Sequence, residues 1–124
     1  MRRKSFALIA AISVLGLSLR TAERTPIKTP AETANYLAYS QTEAVAAFLS
    51  ALAARTPELR VSTVGRSLEA REYGARDIFL AVLAEKPAAA PEALDRTKPT
   101  VLFTAAQHGN EQSAKEAALW LLRD

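Results

Sequence analysis

Hydrophobic residues follow a helical repeat between residues 40 and 57. Four apolar side chains recur at intervals of three and four positions: Val45, Phe48, Leu49 and Leu52. This spacing places them on one face of a helix, which we expect to pack on the rest of the domain. Ser40 and Glu43 fit the capping-box pattern, in which a hydroxyl and a glutamate three residues later satisfy free amides at a helix start. Pro57 favours an end to the helix before it.

Two runs typical of β-strands follow, at residues 59–64 and 78–83. Glycine and charged residues separate them, so the pattern predicts a hairpin or a bent pair of strands. The second run is apolar at every position rather than at alternate ones. Such a run is typical of a strand that is covered on both faces, so we predict packed elements on both sides of it.

The last third of the chain predicts a strand, a short loop and a helix. Residues 86–99, rich in alanine and proline, are predicted to be a surface loop. Residues 100–106 have the composition of a third buried strand, and Asn110 is a favourable N-cap for a helix over residues 111–123. The helix residues expected to face the core are Ala114, Ala118, Leu121 and Leu122.

This order of elements predicts an α/β fold. We expect a mixed sheet in which run 100–106 lies beside run 78–83, with the helices packed on the sheet faces. The last helix reaches Asp124 without a terminating glycine or a following strand, so we expect the chain to be the N-terminal part of an incomplete domain. The chain has 124 residues, of which 49% are hydrophobic, and this is enough for a single domain with one modest hydrophobic core.

The first residues are typical of an export signal. A basic stretch at residues 2–4 precedes an uncharged apolar stretch at residues 5–19, which is short for a membrane span. A buried helix is the alternative, but the segment has no polar face and leads into polar, proline-containing sequence. We therefore assign residues 1–20 to a signal peptide or N-terminal anchor, 21–39 to a linker and domain start, and 40–124 to the domain itself. The predicted location is secreted or periplasmic, with membrane contact only through an uncleaved N-terminal segment.

Composition excludes several kinds of site and one class of partner. The chain has no cysteine, which excludes disulfides, thiolate metal sites and a thiol nucleophile. Its formal net charge is +3, and the basic residues at positions 2–4 account for all of it. The remainder is close to neutral and has few aromatic residues among its basic ones, so no nucleic-acid partner is expected.

The only histidine of the chain, His108, belongs to the candidate metal-binding motif. His108 and Glu111, in the sequence HGNE, follow the predicted third strand and begin the last helix, and Gly109 gives the turn between them conformational freedom. Imidazole nitrogen and carboxylate oxygen suit zinc, and a catalytic zinc site uses three protein ligands and a water. The spacing alone leaves a second interpretation open, in which His108 is a hydrogen-bonded loop residue and Glu111 is stabilised by the helix dipole.

From about residue 29 onward, three features follow one another along the chain: the predicted helix with its proline break, a Gly-x-Ser-x-Glu-x-Arg element, and the sequence KPTVLFTAAQHGNE. The residues of the element are Gly65, Ser67, Glu69 and Arg71. In these features the chain resembles the N-terminal part of the M14 zinc carboxypeptidases. Ala70 stands where the family more often has glycine. The motifs occur in the family's order, so together they are more specific than any one of them.

The resemblance implies that His108 and Glu111 are zinc ligands of a metallocarboxypeptidase, with a second histidine much further along completing the set. The family's general base, a glutamate, and the arginine that binds the substrate carboxylate also lie downstream, beyond Asp124, so no catalytic residue is assigned here. The implied cofactor is Zn²⁺, and the implied substrate is a peptide cut at its C-terminus or an acyl amino acid. This chain alone is then expected to be inactive. The sequence does not indicate an oligomeric state.

Two other functions are open as alternatives. An α/β-hydrolase would use the His-Gly turn as an oxyanion loop, with a serine nucleophile in a Gly-x-Ser-x-Gly element that this chain lacks. A non-catalytic exported module would use the fold only as a surface. Loss of activity to a chelator rather than to a serine-directed reagent, in a longer form, separates a zinc enzyme from the hydrolase. A non-catalytic module would show no bound zinc and no hydrolysis even in a longer form.

Overall fold

The computed structural model describes residues 25–68, 74–88 and 90–124. The elements in these ranges, in chain order, are helix α1 (Pro30–Thr33), helix α2 (Thr42–Ala53), strand β1 (Leu59–Arg66), strand β2 (Asp77–Leu83), a 3-10 turn (Pro91–Ala93) and helix α3 (Gln112–Arg123). The predicted export segment at residues 1–20, and Glu69, Ala70 and Arg71 of the Gly-x-Ser element, lie outside the described residues. None of the helices in these ranges combines the length and the hydrophobicity that a membrane-spanning segment requires.

The apolar stripe of α2 is confirmed. The core consists of its four buried side chains and two from other elements: Val45, Phe48, Leu49, Leu52, Leu59 and Leu119. The helix ends at Ala53, before Pro57, as predicted. Its predicted capping box is wrong, since Gln41 is the N-cap and makes no side-chain cap hydrogen bond. The side chains of Ser40 and Glu43 bond instead to α3 and to the residue before β2, because tertiary partners are within reach of both.

A capping box does occur earlier, at the start of α1. The hydroxyl of Thr29 accepts from the amide of Glu32 at 3.3 Å, and the amide of Thr29 donates to the Glu32 carboxylate at 2.7 Å. Pro30 occupies the first helical position, where its missing N–H is not needed. The assignment of residues 21–39 to a linker and domain start includes no helix. The structure has one in this segment, and its N-cap residue, Thr29, is fully buried.

The predicted hairpin is confirmed. β1 and β2 pair in an antiparallel arrangement, with Leu59 opposite Leu83 and an irregularity in register between Thr63 and Gly65. The predicted surface loop at residues 86–99 follows the hairpin, and the one element among its described residues is the 3-10 turn. The strands contribute side chains to the core cluster formed by α2, so the hairpin and α2 form the centre of the described chain.

Ser67 extends the hairpin past the ends of its strands. Its amide donates to the carbonyl of Arg76 at 2.7 Å, and its hydroxyl accepts from the amide of Arg76 at 2.9 Å. The guanidinium of Arg76 in turn donates to Glu43 at 2.8 Å, which ties the end of the hairpin to the first turn of α2. The serine of the Gly-x-Ser element thus has a structural role in this hairpin.

Among the described residues, packing covers only one face of the hairpin. The strand side chains that pack in or against the core are Leu59, Val61, Phe79 and Ala81. On the opposite face, Ile78 and Leu80 are exposed, so the prediction that run 78–83 is covered on both faces is wrong for the described residues. Successive side chains of a strand point to opposite faces of the sheet. Both α2 and α3 contribute side chains to the core cluster on the same face of the hairpin, so the described helices do not cover the other face.

Residues 100–106 form no strand, and this part of the prediction is wrong. Val101, Leu102 and Phe103 are at least 70% exposed, and no backbone hydrogen bond joins this run to β2 or to another described residue. Strand propensity is realised only when a segment pairs with a neighbour, which the sequence pattern does not specify. The α/β class is confirmed by helices packed on the hairpin, whereas the sheet is two-stranded and antiparallel rather than mixed.

Helix α3 is confirmed, with its start shifted by one residue. It covers Gln112–Arg123 with Glu111, not Asn110, at the N-cap position. Of the residues predicted to face the core, Ala118 and Leu122 are half-buried, and Ala114 and Leu121 are exposed. The buried residue is Leu119, which shares the inner face with half-buried polar side chains at positions 112, 115 and 116. Leu122 packs against the core as predicted, so apolar periodicity identified part of this face. It missed the rest because half of the positions on the face are polar.

Candidate metal site

His108 and Glu111 lie in the turn that leads into α3. The amide of Glu111 donates to the carbonyl of His108 at 3.0 Å, which closes the turn. Glu111 is the N-cap residue, so its carboxylate lies at the positive end of the helix dipole. Just before the turn, Ala106 has a φ of 57°, a left-handed conformation that non-glycine residues rarely adopt. This backbone path turns the chain from the exposed run 100–106 into the start of α3.

The two side chains meet directly. Nδ1 of His108 lies 2.9 Å from Oε1 of Glu111, a hydrogen-bond distance. Zinc–ligand bonds of roughly 2.0–2.2 Å at a tetrahedral angle separate two ligand atoms by about 3.4 Å. The pair at 2.9 Å is thus about 0.5 Å closer than two zinc ligands, a difference that small rotations of two exposed side chains accommodate. The donor types and their spacing therefore fit a zinc ion between the two atoms.

The pair is open to solvent. The side chain of His108 is 73% exposed and that of Glu111 is 50% exposed. At such exposure a contact between two polar side chains adds little to stability, so this contact brings the groups together without fixing the fold. Two surface hollows of the described chain, one beside Arg55 and one beside Trp120, do not include either residue.

The described residues supply two donors to this site. No group of three or more histidine, cysteine, aspartate or glutamate side chains in residues 25–68, 74–88 and 90–124 is arranged to hold a metal ion. The side-chain amide of Gln112 donates to the carbonyl of Gly109 and so stabilises the turn between the two candidate ligands. A zinc ion held by His108 and Glu111 would take its remaining ligands from outside this pair.

Charged residues that the sequence pattern did not identify anchor α3 at both ends. Near its start, Glu116 accepts two hydrogen bonds from Ser40. At its end, Arg123 donates to Glu32 of the α1 capping box, and its guanidinium lies 5.3 Å from the ring centre of Trp120. Ser40 and Glu116 are 76 positions apart, so no local signal links them. The Thr-x-x-Glu pattern around Glu32 is a local signal that would have found the α1 box.

The anchor at the end of α3 shifts two pKa values. The backbone amide of Thr29, followed by the Arg123 guanidinium, holds the pKa of Glu32 below its usual value. The pKa of Arg123 is raised, first by its hydrogen bond to Asp124 and then by Glu32. Both shifts favour the charged forms, so this cluster is ionised at neutral pH.

Comparison with known proteins identifies one family. The family model for peptidase family M14, described as zinc carboxypeptidase, matches residues 45–124. This segment runs from α2 through the hairpin to the end of α3 and includes both His108 and Glu111. Searches of curated proteins and of solved structures gave no match.

Proposed function

The chain belongs to the M14 zinc carboxypeptidase family, and on that basis we propose that His108 and Glu111 are two of the zinc ligands of a metallocarboxypeptidase site. The observation that carries the proposal is the 2.9 Å separation of His108 Nδ1 and Glu111 Oε1 at the start of α3. Imidazole nitrogen and carboxylate oxygen are donor types of catalytic zinc sites, and both residues lie in the segment that the family model matches.

Each of the two side chains has its own role in holding the metal. The His108 nitrogen that faces Glu111 must carry no proton in order to bind, so metal binding fixes the ring with its proton on the other nitrogen. Glu111 supplies an anionic oxygen that offsets part of the cation's charge, and the first turn of α3 sets the direction of this side chain. Zinc, when bound, supplies Lewis-acid polarisation of a scissile carbonyl and a water of lowered pKa.

The proposed reaction is hydrolysis of a peptide at its C-terminus. Membership of the family supports a peptide substrate, and an acyl amino acid, which contains the same kind of amide bond, is the second substrate class within the proposal. The general-base glutamate and the carboxylate-binding arginine implied by the resemblance are not assigned to residues of this chain. The proposed location is secreted or periplasmic, in agreement with the apolar stretch at residues 5–19.

We further propose that this chain alone is not an active enzyme. The sequence contains one histidine, so the second histidine of the family's ligand set has no counterpart in it. With two protein donors, half of a four-coordinate shell is left to water, and zinc held in this way exchanges readily. The exposure of His108 and Glu111 also leaves such an ion facing bulk solvent rather than a dry, shaped cavity.

Zinc retention and hydrolysis test the proposal. The full 124-residue chain is dialysed against metal-free buffer and assayed on a peptide with a free C-terminus, with and without a chelator. We expect weak zinc binding that His108→Ala abolishes, no stoichiometric zinc after dialysis and no chelator-sensitive hydrolysis. Glu85→Gln, which removes an exposed carboxylate paired with Lys98, is the matched control. Stoichiometric zinc with chelator-sensitive hydrolysis would contradict the claim of inactivity and would mean that a further donor, such as one from a second copy of the chain, completes the site.

Two further comparisons separate the alternatives. In a longer form of the protein, an α/β-hydrolase would lose its activity to a serine-directed reagent and not to a chelator, and the family match gives that function no support. A non-catalytic module would show no zinc binding that depends on His108.

A further inference from the structure

Ser40, which lies just before α2, is held by α3 through all of its hydrogen-bonding groups. Its amide donates to Oε1 of Glu116 at 3.1 Å, and its hydroxyl donates to Oε2 of the same carboxylate at 2.8 Å. Its carbonyl accepts from Nζ of Lys115. Ser40 is buried, and the side chains of Lys115 and Glu116 are only about one-fifth exposed. We call these three residues the Ser40 cluster.

The Ser40 cluster has the features of a strong contact. Hydrogen bonds to a carboxylate are charge-assisted and stronger than those between neutral groups. Glu116 also lies beside the N-terminus of α2, where the helix dipole favours a negative charge and where α2 has no side-chain cap of its own. The ammonium of Lys115, which donates to Gln112 at 2.6 Å as well, balances the charge of the carboxylate.

Along α3, this cluster is the first described contact to a distant part of the chain after the candidate metal pair. All residues from 99 to 111 are exposed, and the hydrogen bonds described in the turn itself are local. A helix rises about 1.5 Å per residue, which puts Glu116 about 7.5 Å from Glu111 along α3 and Leu119, the buried residue of this helix, about 12 Å away. The contact with Ser40 is therefore closer along α3 to the start of the helix than the contact of Leu119 with the core.

We propose that Ser40, Lys115 and Glu116 are positioning residues for the metal pair. They fix the first turns of α3 to the start of α2, and this holds the Glu111 carboxylate where it meets His108. Without the contact, the first turn of α3 would open more often, as helix ends with few packed neighbours do. Binding an ion would then order more of the chain, which lowers metal affinity. The assignment rests on the proposed zinc site and adds to it the residues that hold its ligands in place.

The test compares the two ends of α3. Glu116→Ala removes the contact next to the metal pair, whereas Glu32→Gln weakens the ion pair with Arg123 at the far end of the same helix. Zinc affinity is measured in the full chain by competition with a chromophoric chelator. We expect it to fall about tenfold in Glu116→Ala, to fall about threefold in Ser40→Ala, which keeps both backbone contacts, and to stay unchanged in Glu32→Gln. Circular dichroism of each variant ensures that folded proteins are compared.

Amide hydrogen exchange in the metal-free chain gives a second readout. Exchange at residues 115–117, whose amides close the first turns of α3, should be faster in Glu116→Ala and unchanged in Glu32→Gln. Wild-type zinc affinity in folded Glu116→Ala would overturn the assignment. Equal losses of zinc affinity in Glu116→Ala and Glu32→Gln would overturn it too. Neither result would contradict the proposed zinc pair itself. Zinc affinity that does not depend on His108 would overturn the proposed function and the assignment with it. If Glu116→Ala does not fold, Ser40→Ala decides the same comparison.

Discussion

Leu119→Ala should destabilise the protein much more than Leu121→Ala. Leu119 is 5% exposed and packs in the core with Phe48 and Leu59, whereas Leu121 is 59% exposed. Replacing a buried leucine with alanine costs about 2–5 kcal/mol. The core is small and close to solvent, so its neighbours can partly close the gap, and we expect the lower part of that range, about 2–3 kcal/mol. Leu121→Ala should change the free energy of unfolding by no more than about 0.5 kcal/mol.

Urea denaturation followed by tryptophan fluorescence measures this difference. Trp120 is the only tryptophan of the chain and lies in α3 between the two leucines, so its emission reports on that helix. A loss of 2–3 kcal/mol also lowers the midpoint of thermal unfolding by roughly 8–20 °C in a domain of this size, which circular dichroism checks independently. The two variants remove the same side chain from the same helix, so each controls for the other. A loss in Leu121→Ala as large as that in Leu119→Ala would refute the orientation of α3.

Three further substitutions test the polar anchors of the fold. Thr29→Ala removes the hydroxyl of the α1 capping box and should cost about 1 kcal/mol in urea denaturation, with Thr29→Ser close to wild type; equal losses in both would contradict the cap. The pKa of Glu32 is lowered by folding, so its stabilising contribution is present above the ordinary glutamate pKa and is lost as the pH falls through the lowered value. Urea denaturation on acidification should therefore show a smaller loss of stability in Glu32→Gln than in wild type, and an equal loss would contradict the shift. Glu43→Gln breaks the exposed pair with Arg76 and should change the free energy of unfolding by less than about 1 kcal/mol; a larger change would contradict the small contribution expected of an exposed ion pair.

Elements whose partners lie close along the chain were predictable from the sequence. The stripe of α2 follows one local rule of spacing, and the structure buries all four of its members. The hairpin joins two runs that are separated by a short segment, so its pairing needs little information from the rest of the chain. Residues 100–106 have the same strand-like composition, but a strand also needs an edge to pair with, and composition does not provide one.

Contacts between distant residues were not predictable from local patterns. Ser40 and Glu43 match a capping box, yet the hydroxyl of Ser40 donates to Glu116, 76 positions away. The inner face of α3 combines Leu119 with polar residues that find partners only in the folded chain, so apolar spacing identified Leu122 correctly but included Leu121 and left out Leu119.

The candidate metal pair was predictable only in part. Its residue types and its spacing are local, so the sequence and its resemblance to a family identify His108 and Glu111 together. Their separation of 2.9 Å depends on the turn and on the start of α3, which the spacing alone does not define. The Ser40 cluster, which we infer to hold that start, has no signature in the sequence around the pair.

The most direct test of the zinc-pair assignment is a zinc titration followed by NMR of the histidine ring. The chain contains one histidine, so the ring signals belong to His108 without further assignment. We predict that zinc shifts these signals in the wild-type protein, that Glu111→Gln weakens the response by about tenfold or more, and that Glu85→Gln leaves it unchanged. A response in Glu111→Gln equal to that of wild type, or no response at all, would contradict the claim that the two side chains bind one ion.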